Sequence, residues 1–355
     1  MKRGKDSRIN RQPKEKVILI EGAGTATAIS VLKGISKDPR HHCRTVVVDI
    51  EEFVAGRYLA DKFYKTPASK SDEYIDFMVD LCKKEGVSIY LPIIDYGFEK
   101  LSESKKRFAQ AGVYIMIAEP ESIKICADKL LTYEFFKKNN IPTPETFAVG
   151  DKSQARLDQG FLIKPRKGGR ASLEVYKIKD KDDLERHLKE STNYIIQKVI
   201  DGTEFTSDCL SSLDGKIFIE AVVRERIETK GGLSTKAKVF DNDTSNKIKI
   251  HLKRIAILLG LPGVYNIQGF ISNKGDIFFT EINPRFAGTH AFTIEAGLNS
   301  IKHLLDMLDG KNSEGIRKSI KINHKVKMVR YWSEIFVDGD EVWSWGKLLK
   351  SSKKR

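Results

Sequence analysis

The sequence predicts an α/β domain built on a parallel sheet, followed by an α+β domain built on antiparallel sheets. Residues 17–118 alternate four short apolar strands with amphipathic helices, the order of a doubly wound parallel sheet. A single helix is predicted over residues 121–140, and the prolines at 142 and 144 end it. Beyond it, hairpin turns at 212–216 and 272–276 separate strands, which is typical of antiparallel pairing.

Length and composition limit the class of protein. A chain of 355 residues is long enough for two or three domains. No apolar run approaches the ~20 residues that span a bilayer, so we expect no membrane partner. The four cysteines show no CxxC or other metal-binding spacing, which favours a reduced, cytoplasmic protein.

The net charge of +14 raises nucleic acid as a partner, but its distribution argues against one. Residues 1–16 carry seven Lys/Arg against two acidic residues, and residues 343–355 carry five Lys/Arg and no acid. Excess charge in two flexible tails is more typical of a solubility feature than of a binding face. We therefore predict that nucleic acid is not the partner.

The stretch TEINPRFAGTH at 280–290 carries the most specific chemistry. It ends an apolar strand, and strand side chains alternate, so Glu281, Asn283 and Arg285 point to one side. Mg²⁺ prefers oxygen ligands and is often completed by substrate phosphates. Arginine is the usual bidentate partner of phosphate. This strand end predicts a magnesium–phosphate site.

Three further features suit a nucleotide. Lys164 ends a strand and is followed by a basic, glycine-rich loop over 166–172, where cations and close backbone approach favour an anion. Gln197 and Glu204 flank a strand-like segment whose backbone could meet a purine edge while the glutamate accepts ribose hydroxyls. Gln268 lies in the hairpin partner of the Glu281 strand, where the two side chains could share an ion.

In this order and spacing, the motifs resemble the ATP-grasp superfamily, closest to its carbamoyl-phosphate-synthase-like branch. The resemblance covers residues 17–310. It implies an N-terminal α/β, Rossmann-like (pre-ATP-grasp) domain at 17–120 followed by an α+β ATP-grasp fold at 121–320, whose nucleotide and metal subdomains meet near residue 200. A basic tail at 1–16 and an extension at 321–355 flank them.

The resemblance also implies roles for individual residues. ATP, the implied cofactor, would be bound by Lys129, Lys164, Arg166, Gly168, Gly169, Ser172, Gln197, Lys198, Val199 and Glu204. The metal, Mg²⁺ with Mn²⁺ as an alternative, would be held by Gln268, Glu281 and Asn283. The groups assigned to catalysis are Arg285, Lys236 and Asp95.

Two of these assignments stay open at the level of sequence. Leu233 stands where relatives often have an acidic residue, which puts the substrate contact of Lys236 in question. Asp95 follows a parallel strand at its carboxyl end and could bind an amine or cap the next helix. For His290, a structural role is favoured over that of a general base.

The resemblance implies an ATP-dependent ligase that activates a small carboxylate as an acylphosphate for attack by an amine and releases ADP and phosphate. The alternatives are a carbamoyl-phosphate-synthase-like phosphorylating or carboxylating half-reaction, and a non-catalytic ATP- or RNA-binding protein. The expected partners are small-molecule carboxylate and amine substrates. Residues 325–343 suggest an edge extension of a sheet or a homodimer contact.

Overall fold

A computed structural model describes residues 15–38, 40–168, 174–190, 193–339 and 341–342. Most of the two basic tails lies outside the described residues, and so do Gly169 and Ser172 of the loop expected to cover the phosphates.

The first sheet is parallel throughout, as predicted, in the order β3-β2-β1-β4-β5. It has five strands where the sequence indicated four, because the short, half-exposed β3 carries little apolar signal. Its strands are β1 Lys16–Glu21, β2 Cys43–Asp49, β3 Lys62–Lys65, β4 Ile89–Leu91 and β5 Tyr114–Ile115. The accompanying helices are α1 Ala26–Ser36, α2 Ala55–Leu59, α3 Tyr74–Glu85, α4 Phe98–Glu103 and α5 Lys105–Gln110.

The single helix predicted over 121–140 is wrong. It is broken into α6, Pro120–Ala127, and α7, Lys129–Lys138. Asp128 between them has an extended backbone with φ −120°, and its carboxylate accepts from the amides of Leu130 and Leu131. Aspartate is a strong N-cap because it satisfies the free N–H groups of a first turn. The break therefore places Lys129 at the start of a new helix.

A small antiparallel sheet follows, in the order β6-β9-β7-β8. It carries the segments expected to hold a nucleotide. Its strands are β6 Thr146–Ala148, β7 Phe161–Pro165, β8 Tyr176–Ile178 and β9 Tyr194–Lys198, and helix α8 spans Lys181–Glu190. Short 3₁₀ segments at Val149–Gln154 and Leu157–Gln159 join β6 to β7.

The largest sheet is antiparallel, in the order β14-β13-β10-β11-β12-β15. Both predicted hairpins are present in it, between β10 and β11 and between β13 and β14. Its strands are β10 Gly202–Ser211, β11 Phe218–Lys230, β12 Leu233–Val239, β13 Val264–Ser272, β14 Ile277–Asn283 and β15 Lys327–Val329. Helix α9, Asn242–Leu259, packs behind β11.

The region after β14 is helical, but not as one helix. It forms α10 His290–Glu295, α11 Ser300–Leu308 and α12 Ser313–Ser319. Gly297 separates the first two with φ +106°, and a Cβ there would lie 2.2 Å from the carbonyl oxygen of Lys321. Only glycine adopts this backbone at so close an approach.

The parallel domain and the large sheet are packed together. Met116 of the first meets Gly263 and Val264 of the second, and the amide of Val264 lies 3.3 Å from the Met116 sulfur. The hydroxyl of Tyr114 also donates to the carbonyl of Leu213 at 2.9 Å. These contacts fix the position of the parallel strands relative to β14, the strand that carries Glu281 and Asn283.

Residues 327–329 extend the large sheet. Strand β15 pairs with β12 at the sheet edge, so the expected edge extension is present. A short hairpin follows, β16 Val337–Asp338 with β17 Glu341–Val342. Tyr331 and Trp332 are largely exposed. Among the described residues, every helix is too short or too polar to cross a bilayer.

We expect stability to fall as pH drops from 7 to 5, because of His303 on α11. Burial lowers the pKa of His303 to about 4. Below about pH 6.5, His303 binds a proton in the unfolded chain but stays neutral in the folded chain until about pH 4. The free energy of unfolding therefore decreases as pH falls from about 6.5 towards 4. The expected loss is about 2 kcal/mol. Urea unfolding at pH 7, 6 and 5 measures it.

His42 supplies the matched control, because it is an exposed histidine beside the same α11. His303→Asn should flatten the dependence on pH, whereas His42→Asn should leave it unchanged. Equal slopes in both variants and the wild type would contradict the assignment.

Candidate active site

The metal-site residues predicted on the last hairpin meet as expected. Gln268 of β13 is paired with Glu281 of β14, and Asn266 is paired with Asn283. A register shift next to Gln268 accommodates Thr280 as an extra residue. Carboxylate and amide side chains are thereby brought to alternate residue pairs of the hairpin, on one face of the sheet.

Two lysines from other elements face this hairpin. Lys129 begins α7 and Lys164 lies on β7, and both act electrostatically on Glu281. Burial alone would raise the pKa of Glu281, but the charges of these lysines, together with Asn283 and Arg285, outweigh burial, and the pKa lies below its usual value. Burial lowers the pKa of Lys164 to about 8, despite the opposing charge of Glu281. An ionised glutamate and two amines thus surround one cleft.

Glu204 lies in the same cleft and is held by a residue that the motifs did not reveal. Arg226 of β11 donates to Glu204 at 2.6 Å, to the Gln268 amide oxygen at 3.3 Å and to the carbonyl of Gly232 at 2.7 Å. Burial raises the pKa of Glu204, and Arg226 opposes that rise. The signal available in the sequence was alternation, since Arg224, Arg226 and Glu228 occupy alternate positions of one strand.

Arg285 is bound by a carboxylate of the parallel-sheet domain. Its Nε and Nη2 donate to the two carboxylate oxygens of Asp95 at 2.9 and 3.0 Å, a bidentate pair. Nη2 also lies 3.4 Å from the Asn283 amide oxygen, and Nη1 donates to the Phe286 carbonyl at 3.1 Å. Asp95 is the first residue of the 3₁₀ turn Asp95–Gly97, and its carboxylate is paired with Arg285.

The basic loop is tied to the start of α7. Arg166 donates through Nε to both oxygens of the buried Asp128 at 2.9 Å, and the Lys129 amide donates to the Arg166 carbonyl at 3.0 Å. Gly168 is exposed with φ +77°, close to the ring of Tyr96. Arg166 thus anchors the loop, and its predicted contact with phosphate stays a prediction.

The residues expected around adenine lie at the far end of the small sheet. Gln197 is buried and donates to Thr146 at 2.9 Å. The main-chain N–H of Lys198 donates to the Glu145 carbonyl at 2.8 Å, and that of Val199 donates to the Gly160 carbonyl at 3.0 Å. Both N–H groups are bound within the protein, and the predicted roles of the Lys198 and Val199 main-chain groups on adenine stay predictions.

Lys236 stands apart from this cluster. It lies on the exposed face of the β11–β12 hairpin, where its amine is 2.7 Å from Glu228. Both side chains are about half exposed. Its assignment to catalysis stays a prediction.

A buried polar network supports the loop after Arg285. Arg224 donates to Asp208 at 2.9 Å, to Thr293 at 2.8 Å and to Thr289 at 2.7 Å. His290 is fully buried, with Nδ1 3.2 Å from Asp208 and its ring against Phe286. Both terminal nitrogens of Arg224 are hydrogen-bonded in this way, whereas Arg224 Nε and His290 Nε2 are buried without a hydrogen-bond partner among the described residues. The structure therefore places His290 in the framework, as the sequence favoured.

The donor set fits a magnesium ion shared with phosphates. Glu281 is ionised, and amide oxygens of Gln268 and Asn283 lie on alternate residue pairs of the hairpin. Within the described ranges, no group of three His, Cys, Asp or Glu side chains could hold a metal alone. Mg²⁺ is commonly bound by one or two carboxylates and completed by phosphates, so a single carboxylate beside two lysines is adequate.

The family follows from comparison with known sequences. Residues 126–289 match the ATP-grasp domain family, and residues 18–116 match the PylC-like N-terminal domain family. Residues 126–289 therefore form an ATP-grasp domain, preceded by a PylC-like N-terminal domain. Both matches fall where the resemblance of the motifs placed them.

The relatives of this ATP-grasp chain include carbamoyl phosphate synthases. The large chain from Archaeoglobus fulgidus is 26% identical over 286 residues, which cover 75% of this chain and 26% of that protein. A carbamoyl-phosphate synthase from Methanobrevibacter smithii is 20% identical over 281 residues, covering 76% of this chain and 75% of that protein. The chain thus spans only about a quarter of the A. fulgidus relative.

Solved structures agree on the fold. N5-carboxyaminoimidazole synthetase from Staphylococcus aureus, complexed with ADP, superposes with a TM-score of 0.69 at 18% identity, covering 84% of this chain and 78% of that one. The biotin carboxylase domain of Hydrogenobacter thermophilus 2-oxoglutarate carboxylase, in complex with MgADP, ADP and bicarbonate, also gives 0.69, at 16% identity, covering 87% and 72%. At these identities the likeness establishes the ATP-grasp architecture alone.

Proposed function

We propose that this protein is a Mg²⁺- and ATP-dependent ligase that joins a small carboxylate to an amine. The observation that carries the proposal is the convergence of Lys129, Lys164 and Arg285 on the ionised Glu281. Three cations around one carboxylate suit a triphosphate with a shared metal ion. Phosphoryl transfer needs positioning and charge cancellation more than covalent chemistry from the protein.

In the proposed reaction, a carboxylate oxygen of the acceptor attacks the γ-phosphorus of ATP, and ADP leaves with the bridging oxygen. The amine nitrogen then attacks the acyl carbon of the acylphosphate, phosphate leaves and the nitrogen loses a proton. A bound Mg²⁺ supplies charge neutralisation on the phosphates. Lys129 and Lys164 bind the phosphate oxygens, and Arg285 stabilises charge on the transferred group.

The same proposal divides the labour between the domains. Residues 121–320 bind the nucleotide and metal, and residues 17–120 close the acceptor side through Asp95. The acceptor carboxylate lies beside Arg285 and the loop 288–290, and the amine lies beside the Asp95 carboxylate. Asp95 is about half exposed, so an ammonium group can reach it. The proposed setting is a cytoplasmic protein whose substrates are small molecules.

The test is Mg²⁺-dependent release of ADP with pooled carboxylates and amines, run with and without hydroxylamine. Hydroxylamine converts an acylphosphate to a hydroxamate, so the proposal expects hydroxamate only with the correct carboxylate. ADP release with bicarbonate alone would favour the half-reaction of a carbamoyl phosphate synthase instead. Tight ATP binding without turnover in any pool would favour a non-catalytic binder.

A further inference from the structure

A buried glutamate lies directly behind the Asp95–Arg285 pair. Glu21 ends β1 and is only 4% exposed. One of its carboxylate oxygens accepts from the amides of Ile93 and Ile94, each at 3.0 Å. The other accepts from the hydroxyl of Tyr74. Three donors therefore converge on one side chain at the end of the parallel sheet.

Burying a carboxylate costs free energy unless its hydrogen bonds compensate for the lost water. Burial raises the pKa of Glu21, which means that ionisation in the folded state costs stability. Buried charges are kept where their hydrogen bonds serve a purpose. Here they fix the backbone of the turn after β4, since Ile93 and Ile94 immediately precede Asp95.

The turn transmits this position to the active site. Asp95 binds Arg285 through two parallel hydrogen bonds. Arg285 lies two residues after the end of β14, the strand that carries Glu281 and Asn283. A bidentate pair fixes the plane of the guanidinium as well as its distance. A shift of the Asp95 backbone must therefore turn or release Arg285.

We propose that Glu21 is a positioning residue, which holds the turn after β4 so that Asp95 orients Arg285 for phosphoryl transfer. The inference rests on the proposed function for its kinetic consequence, but its structural consequence is independent of any reaction. It predicts a particular behaviour: acceptor oxygens at residue 21 matter, whereas the negative charge does not.

Two substitutions separate these requirements. Glu21→Met removes the acceptor and leaves two buried N–H groups unpaired. Glu21→Gln restores an oxygen for both amides, and its NH₂ group donates to the Tyr74 hydroxyl, which can turn toward Tyr90 at 3.0 Å. We expect kcat to fall about 10- to 100-fold in Glu21→Met, as for a misplaced catalytic group, with KM for ATP within about twofold. Glu21→Gln should recover most of kcat.

Glu85 is a matched control in the same domain. It is 6% exposed and accepts from the Tyr64 hydroxyl, but its other partners are Arg44 and Lys62 rather than the turn at Asp95. Glu85→Met should cost stability and leave kcat unchanged. An equal loss of kcat in Glu85→Met and Glu21→Met would overturn the inference, as would additive losses on combining Glu21→Met with Asp95→Asn.

A readout without turnover keeps the inference separate from the proposed function. The Nε–H resonance of Arg285 reports its bond to Asp95. We expect this resonance to shift in Glu21→Met, and to keep its wild-type position in Glu21→Gln and Glu85→Met. If Glu21→Met fails to fold, Tyr74→Phe removes one donor and should give a smaller shift. An unchanged resonance overturns the inference, whereas a wild type without turnover contradicts the proposed function alone.

Discussion

Glu281→Gln should reduce Mg²⁺-dependent ADP formation by about 100- to 1,000-fold, the range for losing a main electrostatic contributor to a transition state. The amide keeps the shape of the side chain but removes its charge. In the present structure that charge is balanced by Lys129 and Lys164. Its loss leaves two cations facing each other and removes the carboxylate that a hard metal ion prefers.

The substitution has a second consequence that identifies its cause. Glu281 supports the protonated form of Lys164, so the pKa of Lys164 should fall further below its usual value in Glu281→Gln. Raising Mg²⁺ should therefore rescue turnover poorly. Coupled assays of ADP release across Mg²⁺ concentrations, with unfolding curves alongside, measure both effects.

Glu225→Gln is the control for this experiment. Glu225 belongs to the same sheet, but it alternates with Arg224 and Arg226 and so lies on the other face, paired with Lys238 at 2.9 Å. Its variant should keep wild-type turnover. Glu281→Gln with more than a tenth of wild-type turnover would remove this residue from the metal site.

How far the site could be predicted depends on the range of the interaction. Alternation along one strand was enough to place Glu281, Asn283 and Arg285 on one side, and hairpin pairing was enough to set Gln268 opposite Glu281. Both rules act between near neighbours and need only the strand and its turn. The pairing of Gln268 with Glu281 is confirmed, whereas Arg285 lies in the bend after β14, and the roles of these residues in binding remain predictions.

Interactions between distant segments were beyond the motifs. Asp95 and Arg285 are 190 residues apart, and their pair exists because two domains are packed together. Arg226 was missed for a related reason, since it reaches Glu204 across neighbouring strands. A charged residue at an alternate position of a strand indicates a face, but the sequence does not say what that face meets.

The two helix breaks, at Asp128 and Gly297, were missed for a different reason. Periodicity continues through Asp128 and through Gly297, and this pattern alone predicts one helix over residues 121–140 and another over residues 289–310. The chain turns at Asp128 because its carboxylate accepts hydrogen bonds from two amides of the next helix. It turns at Gly297 because the backbone there lies close to the carbonyl of Lys321. A capping residue inside an apolar pattern signals the end of a helix. Where the helical period continues past that residue, the period outweighs the capping signal in a prediction from sequence.

Nucleotide affinity should fall as pH rises through about 8, because of Lys164. Burial lowers the pKa of this amine to about 8, and only its protonated form attracts phosphate. Below that pH the cation is present and affinity is constant. Above that pH, the Lys164 amine is mostly neutral and must take up a proton when the phosphate binds. The affinity therefore falls by up to about tenfold per pH unit.

Titration calorimetry with ADP at pH 7 and pH 9, without divalent ions and in two buffers of different ionisation enthalpy, tests this sign. Proton uptake on binding is expected near pH 8. Lys164→Met should weaken ADP by about 100-fold at pH 7, the upper range for a charge-assisted hydrogen bond, and should abolish the proton uptake. Lys177 on the adjacent β8 is exposed, and Lys177→Met should change neither quantity.

The pH profile discriminates between two ways in which Lys164 could matter. If the amine only fills the cleft, Lys164→Met keeps the volume and loses little affinity, and the wild type shows no proton uptake. If its charge binds phosphate, affinity and proton uptake disappear together in the variant. Proton uptake that survives in Lys164→Met would assign the titration to another group of the cleft and would leave the low pKa of Lys164 without a role in nucleotide binding.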